Sequence, residues 1–172
     1  MLGVMENNFI YEITNFNVDS TLYIDEYNSI ADGKSFGYGN DGYVVIDEMN
    51  TGVKCEKLIK FATDFLDYFQ FNERRENFIQ NARYFLQPAG STLLPHCDAR
   101  IKCAANFLLY RDNDPVQFYD DEGANPVDLY YRNCIINTRK PHGLSVFKDR
   151  LMIKLIFKDS YFDDVVQRIR AV

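Results

Sequence analysis

Pro95-His96-Cys97-Asp98, answered further along by His142-Gly143-Leu144-Ser145-Val146-Phe147-Lys148-Asp149-Arg150-Leu151-Met152-Ile153-Lys154-Leu155-Ile156-Phe157, decides how this chain folds. The chain has 2 histidines, and each falls in one of these stretches. His-x-Asp, a gap of roughly forty residues and a second His is the sequence form of a two-histidine, one-carboxylate facial triad. Such a triad holds one face of an octahedral Fe(II) and leaves the other positions to substrates. Residues i and i+2 of a strand point the same way, so His96 and Asp98 can share one metal while Cys97 faces away. The distal His142 must then arrive on another strand brought alongside. Beyond it, residues 151–157 predict a strand whose two faces differ. Arg150, Met152 and Lys154 share one side, and Leu151, Ile153 and Leu155 the other.

Outward from these stretches the chain breaks into short segments. Strands are expected at 83–87, 102–110, 116–119, 129–131 and 134–137, with turn chemistry at 88–91, 111–115 and 120–126. Many short strands with turns between them predict a sandwich or barrel rather than alternating β-α units. Upstream, 8–17 alternates loosely and 43–46 is apolar, so each predicts a strand. Between them, 31–42 is turn-dense and reads as a long loop. In its 32–42 part, Gly33, Gly37, Gly39 and Gly42 give freedom, while Phe36 and Tyr38 give surface. That combination suits either a substrate-covering lid or an ordinary surface loop. The clearest helix is 53–71: Leu58, Ala62, Phe65 and Phe69 form one apolar stripe, and Glu56, Lys60 and Asp64 form i,i+4 pairs on another face. Thr51 is its expected cap. A more polar helix is expected at 73–81 and a closing one at 161–169. With no repeats or linkers, one domain over 1–172 with its core at about 83–157 is expected.

The net charge of −6 argues against a surface that tracks phosphates, so nucleic acid is not an expected partner. No apolar run approaches the ~20 residues that span a bilayer. Residues 1–6 lack a basic region followed by a long apolar core. Cys55, Cys97, Cys103 and Cys134 form no C-x-x-C pair and no zinc spacing, which fits reduced thiols and a cytoplasmic location. Cys97 would lie beside a redox metal, where oxidation is a liability.

His96-x-Asp98, the spaced His142 and the Arg150-led apolar strand resemble the iron(II)- and 2-oxoglutarate-dependent dioxygenases. The resemblance covers about 83–157. It implies a mainly β fold, the double-stranded β-helix (jelly-roll) barrel with supporting helices outside. It implies His96, Asp98 and His142 as Fe(II) ligands, with 2-oxoglutarate and O2 consumed while a C–H bond is hydroxylated. It also implies that a basic residue on the last strand anchors the far carboxylate of 2-oxoglutarate. Arg150 is the first choice, because a planar guanidinium binds a carboxylate through two parallel hydrogen bonds. Lys154, on the same face, is the second. Asn106 interrupts an apolar run and must find a partner if buried, in 2-oxoglutarate, a metal ligand or a structural neighbour. Tyr84 has the same choice between the cosubstrate and the core.

The branch is open. Prolyl-hydroxylase-like sequences usually carry tyrosines nine and three residues before the first His, where this chain has Gln87 and Leu93. The stretches 90–96 and 137–142 look more like the aspartyl/asparaginyl β-hydroxylase branch, whose members can lack the carboxylate that Asp98 provides. A peptide or protein side chain is the preferred substrate class, with a small molecule as the other. Two further classes fit the triad: a cupin-like metal enzyme that uses no 2-oxoglutarate and needs no buried Arg150, and a non-catalytic jelly-roll binding module.

Overall fold

The computed structural model describes residues 8–31, 37–38, 43–110 and 114–172. The loop at 32–42, read as either a lid or an ordinary surface loop, therefore lies outside the described residues, apart from the backbone of 37–38.

The strands are β1 (Ile10–Glu12), β2 (Gly37–Tyr38), β3 (Tyr43–Ile46), β4 (Arg83–Gln87), β5 (Thr92–His96), β6 (Cys103–Leu108), β7 (Val116–Phe118), β8 (Val127–Leu129), β9 (Asn133–Ile136), β10 (His142–Ser145) and β11 (Arg150–Phe157). They form two antiparallel sheets. A seven-stranded sheet runs β1-β9-β6-β11-β4-β3-β2, and a four-stranded sheet runs β5-β10-β7-β8. The helices are α1 (Ser20–Ala31), α2 (Glu48–Thr51), α3 (Glu56–Phe69), α4 (Arg75–Gln80) and α5 (Phe162–Arg170). No described helix is long and apolar enough to cross a membrane. This is the expected double-stranded β-helix with helices on its outside.

β11 lies at the centre of the large sheet and shows how sequence alternation divides the molecule. Leu151, Ile153, Leu155 and Phe157 face the helices and join one apolar cluster with Leu58, Phe61, Phe65 and Phe69 of α3 and with Phe78 and Val165. The rings there meet edge to face, Phe61 on Phe107 at 4.9 Å and Phe78 on Phe157 at 5.2 Å, the arrangement that aromatic quadrupoles favour. Met152 faces the other way, into a smaller cluster between the sheets with Ala104, Leu108, Cys134 and Ile136, closed by Val116 and Phe118 of the small sheet. Arg150 and Lys154 share that inward face, because the strand period is two.

α3 begins at Glu56 rather than at 53, and Thr51 is not its cap: Thr51 ends α2. The cap comes from α1. The Glu26 carboxylate accepts hydrogen bonds from Lys57 N (2.8 Å) and Leu58 N (3.0 Å), two of the amides left over at a helix start. It also accepts one from the Tyr84 hydroxyl at 2.6 Å. Tyr84 is fully buried on the helix side of β4, which corrects the expectation that it reaches a cosubstrate. α1 occupies a stretch to which the sequence analysis assigns no element. Its Asn, Ser, Thr, Tyr and Ile content is poor helix material, and packing of Tyr23, Ile24, Tyr27 and Ile30 on the core decides the matter. Glu26→Ala is expected to cost about 3 kcal/mol in chemical denaturation, because hydrogen bonds to a charged acceptor are worth ~1.5–3 kcal/mol and a buried hydroxyl loses its partner.

Candidate metal centre and cosubstrate cavity

Hydrogen-bonded register sets the two histidines opposite one another. β5 and β10 pair antiparallel with His96 facing His142, and their ring centroids lie 4.5 Å apart. Gly143 permits this approach, since a Cβ there would stand 2.7 Å from the Leu93 carbonyl oxygen. Gly143→Ala is therefore expected to push β10 off β5 and carry His142 with it. Metal affinity should fall roughly 10–100-fold, the range for losing a ligand-orienting contact, as read by Mn(II) titration.

Asp98 does not lie on the strand with His96, as the i,i+2 argument expected, because β5 ends at His96. It is held by the loop before His142 instead. Asp98 N donates to Thr138 O at 2.9 Å, and Arg139 Nη1 donates to Ala99 O at 3.2 Å. One candidate ligand atom from each of His96, Asp98 and His142 lies within 4.8 Å of the others. His96 Nε2 is 3.5 Å from Asp98 Oδ1.

The tautomers follow from the partners. His96 Nδ1 meets Leu94 O and His142 Nδ1 meets Lys140 O, each at 2.9 Å. A carbonyl only accepts, so each Nδ1 carries a proton; Nε2 of His142 presents a lone pair, and Nε2 of His96 does so once the proton it shares with Asp98 leaves. Burial pushes the His142 pKa down to about 4, keeping that ring neutral. The hydrogen bond to Asp98 pushes His96 up, against its burial. Burial also pushes Asp98 up, but His96, Lys154 and His142 together hold it below its ordinary value. Two neutral imidazoles and one carboxylate are the donor set that a first-row divalent ion requires. Asp98 Oδ2 is buried with no hydrogen-bond partner among the described residues, an acceptor that suits a cation. The residues present fit Fe(II).

The triad lines a cavity of about 220 Å³ between the sheets. Its walls include Phe85, Leu93, Val116, Ile136, Leu144, Met152 and Ile156, and its polar lining includes Arg83, Gln87, Asn106, Tyr131, Arg150 and Lys154. Arg150 is 3% exposed. Its Nη1 donates to Gln87 Oε1 at 2.7 Å, and its Nη2 donates to the Tyr131 hydroxyl. Burial raises the Tyr131 pKa, with Arg150 opposing, so both partners are neutral. Nε of Arg150 has no partner, and among the described residues no carboxylate lies within ion-pair distance of the guanidinium. Asn106 donates to Tyr131 at 3.0 Å and leaves its own Oδ1 unpaired in the cavity. Lys154 stands across from Asn106 and Arg83 on the neighbouring strands, with Nζ 5.4 Å from the Phe85 ring centre. Burial lowers its pKa, and Asp98 opposes the shift.

Of the residues singled out from sequence, the structure thus brings His96, Asp98, His142, Arg150, Asn106 and Lys154 to one cavity and leaves Tyr84 outside it. Gln87 and Tyr131 were missed. Gln87 had a usable signal, a polar residue on the inward face of β4 directly opposite Arg150. Tyr131 had none, since its neighbour Tyr130 is the same residue type and 65% exposed.

Among solved structures, the chain is similar to a prolyl hydroxylase from Trichoplax adhaerens in complex with a hypoxia inducible factor oxygen degradation domain peptide fragment. The TM-score is 0.60 at 17% identity, covering 96% of this chain and 87% of that one. It is also similar to a Pseudomonas putida prolyl-4-hydroxylase, with a TM-score of 0.54 at 15% identity, covering 88% of this chain and 91% of that one. No family model matches the chain, and no curated protein matches it in sequence. The likeness is one of fold.

Proposed function

We propose that this chain is an Fe(II)- and 2-oxoglutarate-dependent oxygenase that hydroxylates a C–H bond, with a peptide or protein side chain as its substrate. One observation carries the reading: the triad shares a cavity with a buried guanidinium that has no carboxylate partner among the described residues. A cupin-like enzyme without 2-oxoglutarate has no use for such a cation, and a pure binding module has no use for three convergent ligand atoms facing a cavity. The fold shared with two prolyl hydroxylases supports the same reading, and the peptide held by the Trichoplax protein supports the substrate class.

When bound, Fe(II) and 2-oxoglutarate supply the oxidising chemistry, in which O2 gives one oxygen atom to the substrate and one to succinate as CO2 leaves. The chain's residues do the rest. His96, Asp98 and His142 would hold the metal on one face only, their orientation fixed by the Leu94 and Lys140 carbonyls and by the Asp98 N–H that donates to the Thr138 carbonyl. Arg150 would receive the far carboxylate of 2-oxoglutarate, with Gln87 and Tyr131 holding the guanidinium plane. Asn106 Oδ1 and the apolar walls set the cosubstrate's path and exclude water. β5 is the outer strand of the small sheet, so a peptide can approach His96 along its edge, beside exposed Leu94.

Anaerobic absorption spectroscopy tests the proposal. Fe(II)-loaded protein should develop a visible metal-to-ligand charge-transfer band when 2-oxoglutarate is added. Absence of that band with metal bound sinks the oxygenase reading.

A further inference from the structure

We propose that Lys154 couples the metal site to the anion site: its charge beside the triad keeps metal binding weak until a dicarboxylate enters the cavity. The inference rests on the oxygenase reading and adds a role for a residue that neither ligates metal nor anchors the cosubstrate.

The charges lining the cavity are unbalanced. Arg83, Arg150 and Lys154 are the basic groups, and Asp98 is the carboxylate among the described lining residues. Arg83 has an external counter-charge in Asp47, with Nε 4.0 Å from Oδ2. Arg150 and Lys154 have no carboxylate within ion-pair distance among the described residues. Four residues apart on one strand face, their backbones are separated by about 13 Å at ~3.3 Å per residue. Lys154 lies toward the triad end of β11: it lines the same cavity as His96, Asp98 and His142, and the chain just after Asp98 is tied to the end of that strand by Lys102 N donating to Phe157 O. A divalent ion placed there adds charge of the same sign in a partly water-excluded space, where like charges repel more strongly than in bulk water. A dianion in the cavity reverses that balance. The effect is reciprocal: whatever factor the anion contributes to metal affinity, the metal contributes to anion affinity.

The test is Mn(II) binding followed by electron paramagnetic resonance, with and without glutarate. Glutarate has both carboxylates of 2-oxoglutarate but lacks the keto oxygen, so it separates charge from chelation. In the wild type, glutarate should tighten Mn(II) by a factor within the ~5–150-fold range of ordinary coupling. Lys154→Met should tighten Mn(II) alone by about 10-fold and cut the glutarate effect below ~2-fold, while Lys154→Arg keeps the wild-type pattern. Lys154→Gln is the second neutral variant should the methionine protein fail to fold. Weaker Mn(II) binding in both neutral variants overturns the proposal and makes Lys154 a support for Asp98. So does a wild type in which glutarate changes nothing. A protein that binds no Mn(II) in any condition overturns this inference and the oxygenase reading together. Coupling without a charge-transfer band on adding 2-oxoglutarate to the Fe(II) protein removes only the oxygenase reading.

Discussion

Asp98→Asn is expected to cut Fe(II) and Mn(II) affinity at least about 100-fold, beyond the ~10–100-fold that follows loss of an orienting neighbour. The amide removes the negative charge of the triad and keeps its shape. The fold should survive the change, because two effects on its stability oppose each other. Oδ2 of the carboxylate is buried without a partner, which costs about 1–3 kcal/mol. Against that, His96, Lys154 and His142 draw the carboxylate below its ordinary pKa, so the ionised form contributes stability. The melting temperature of the metal-free protein should therefore change little, and the loss of metal can be read as a direct effect on the site. Calorimetric titration of the variant with Mn(II), beside a thermal melt, checks both parts. Binding within about threefold of the wild type would remove Asp98 from the ligand set, since a lost anionic ligand costs far more.

How the site could be read from sequence depends on which elements set each residue's place. β11 was legible because a strand at the centre of a sheet must alternate, and Arg150, Met152 and Lys154 could be put on one face from the sequence alone. The pairing of His96 with His142 was expected, though not its detail: a strand carrying His142 was expected without bounds, and Gly143 matters only because Leu93 crosses beside it. Asp98 was placed in the right cavity for an incomplete reason. Its position comes from Thr138 and Arg139, two residues in a turn with no strand period to reveal them. α1 was missed although Tyr23, Ile24, Tyr27 and Ile30 follow helical spacing, since no element was assigned between the strand at 8–17 and the loop at 31–42. Tyr84 and Tyr131 show the sharper limit. Both are buried tyrosines in or beside strands, and only the partner each hydroxyl finds, Glu26 or Arg150, separates a helix cap from a cavity wall. Such partners lie far apart in the chain, where local pattern carries no information.

Arg150→Met should separate the cosubstrate from the metal. The methionine fills much of the space of the arginine stem on an inward strand face that already holds Met152. What disappears is the charge, and with it the hydrogen bonds a carboxylate would receive. These are worth at least ~1.5–3 kcal/mol, so 2-oxoglutarate affinity should fall by about 10- to 150-fold. Mn(II) affinity measured alone should stay within a few-fold of the wild type, because Arg150 is far along β11 from the triad. The metal-free protein should also melt higher. A buried guanidinium whose partners are both neutral carries a desolvation cost of several kcal/mol, and an apolar residue of similar volume removes it. A rise in stability together with a loss of cosubstrate is the signature of a charge kept for a ligand rather than for the fold. Lys154→Met is expected to show the contrasting pattern, tighter metal with a smaller loss of 2-oxoglutarate. The opposite ranking of the two variants in 2-oxoglutarate titrations would transfer the anchor to Lys154, and Arg150 would then be a structural residue whose removal lowers the melting temperature.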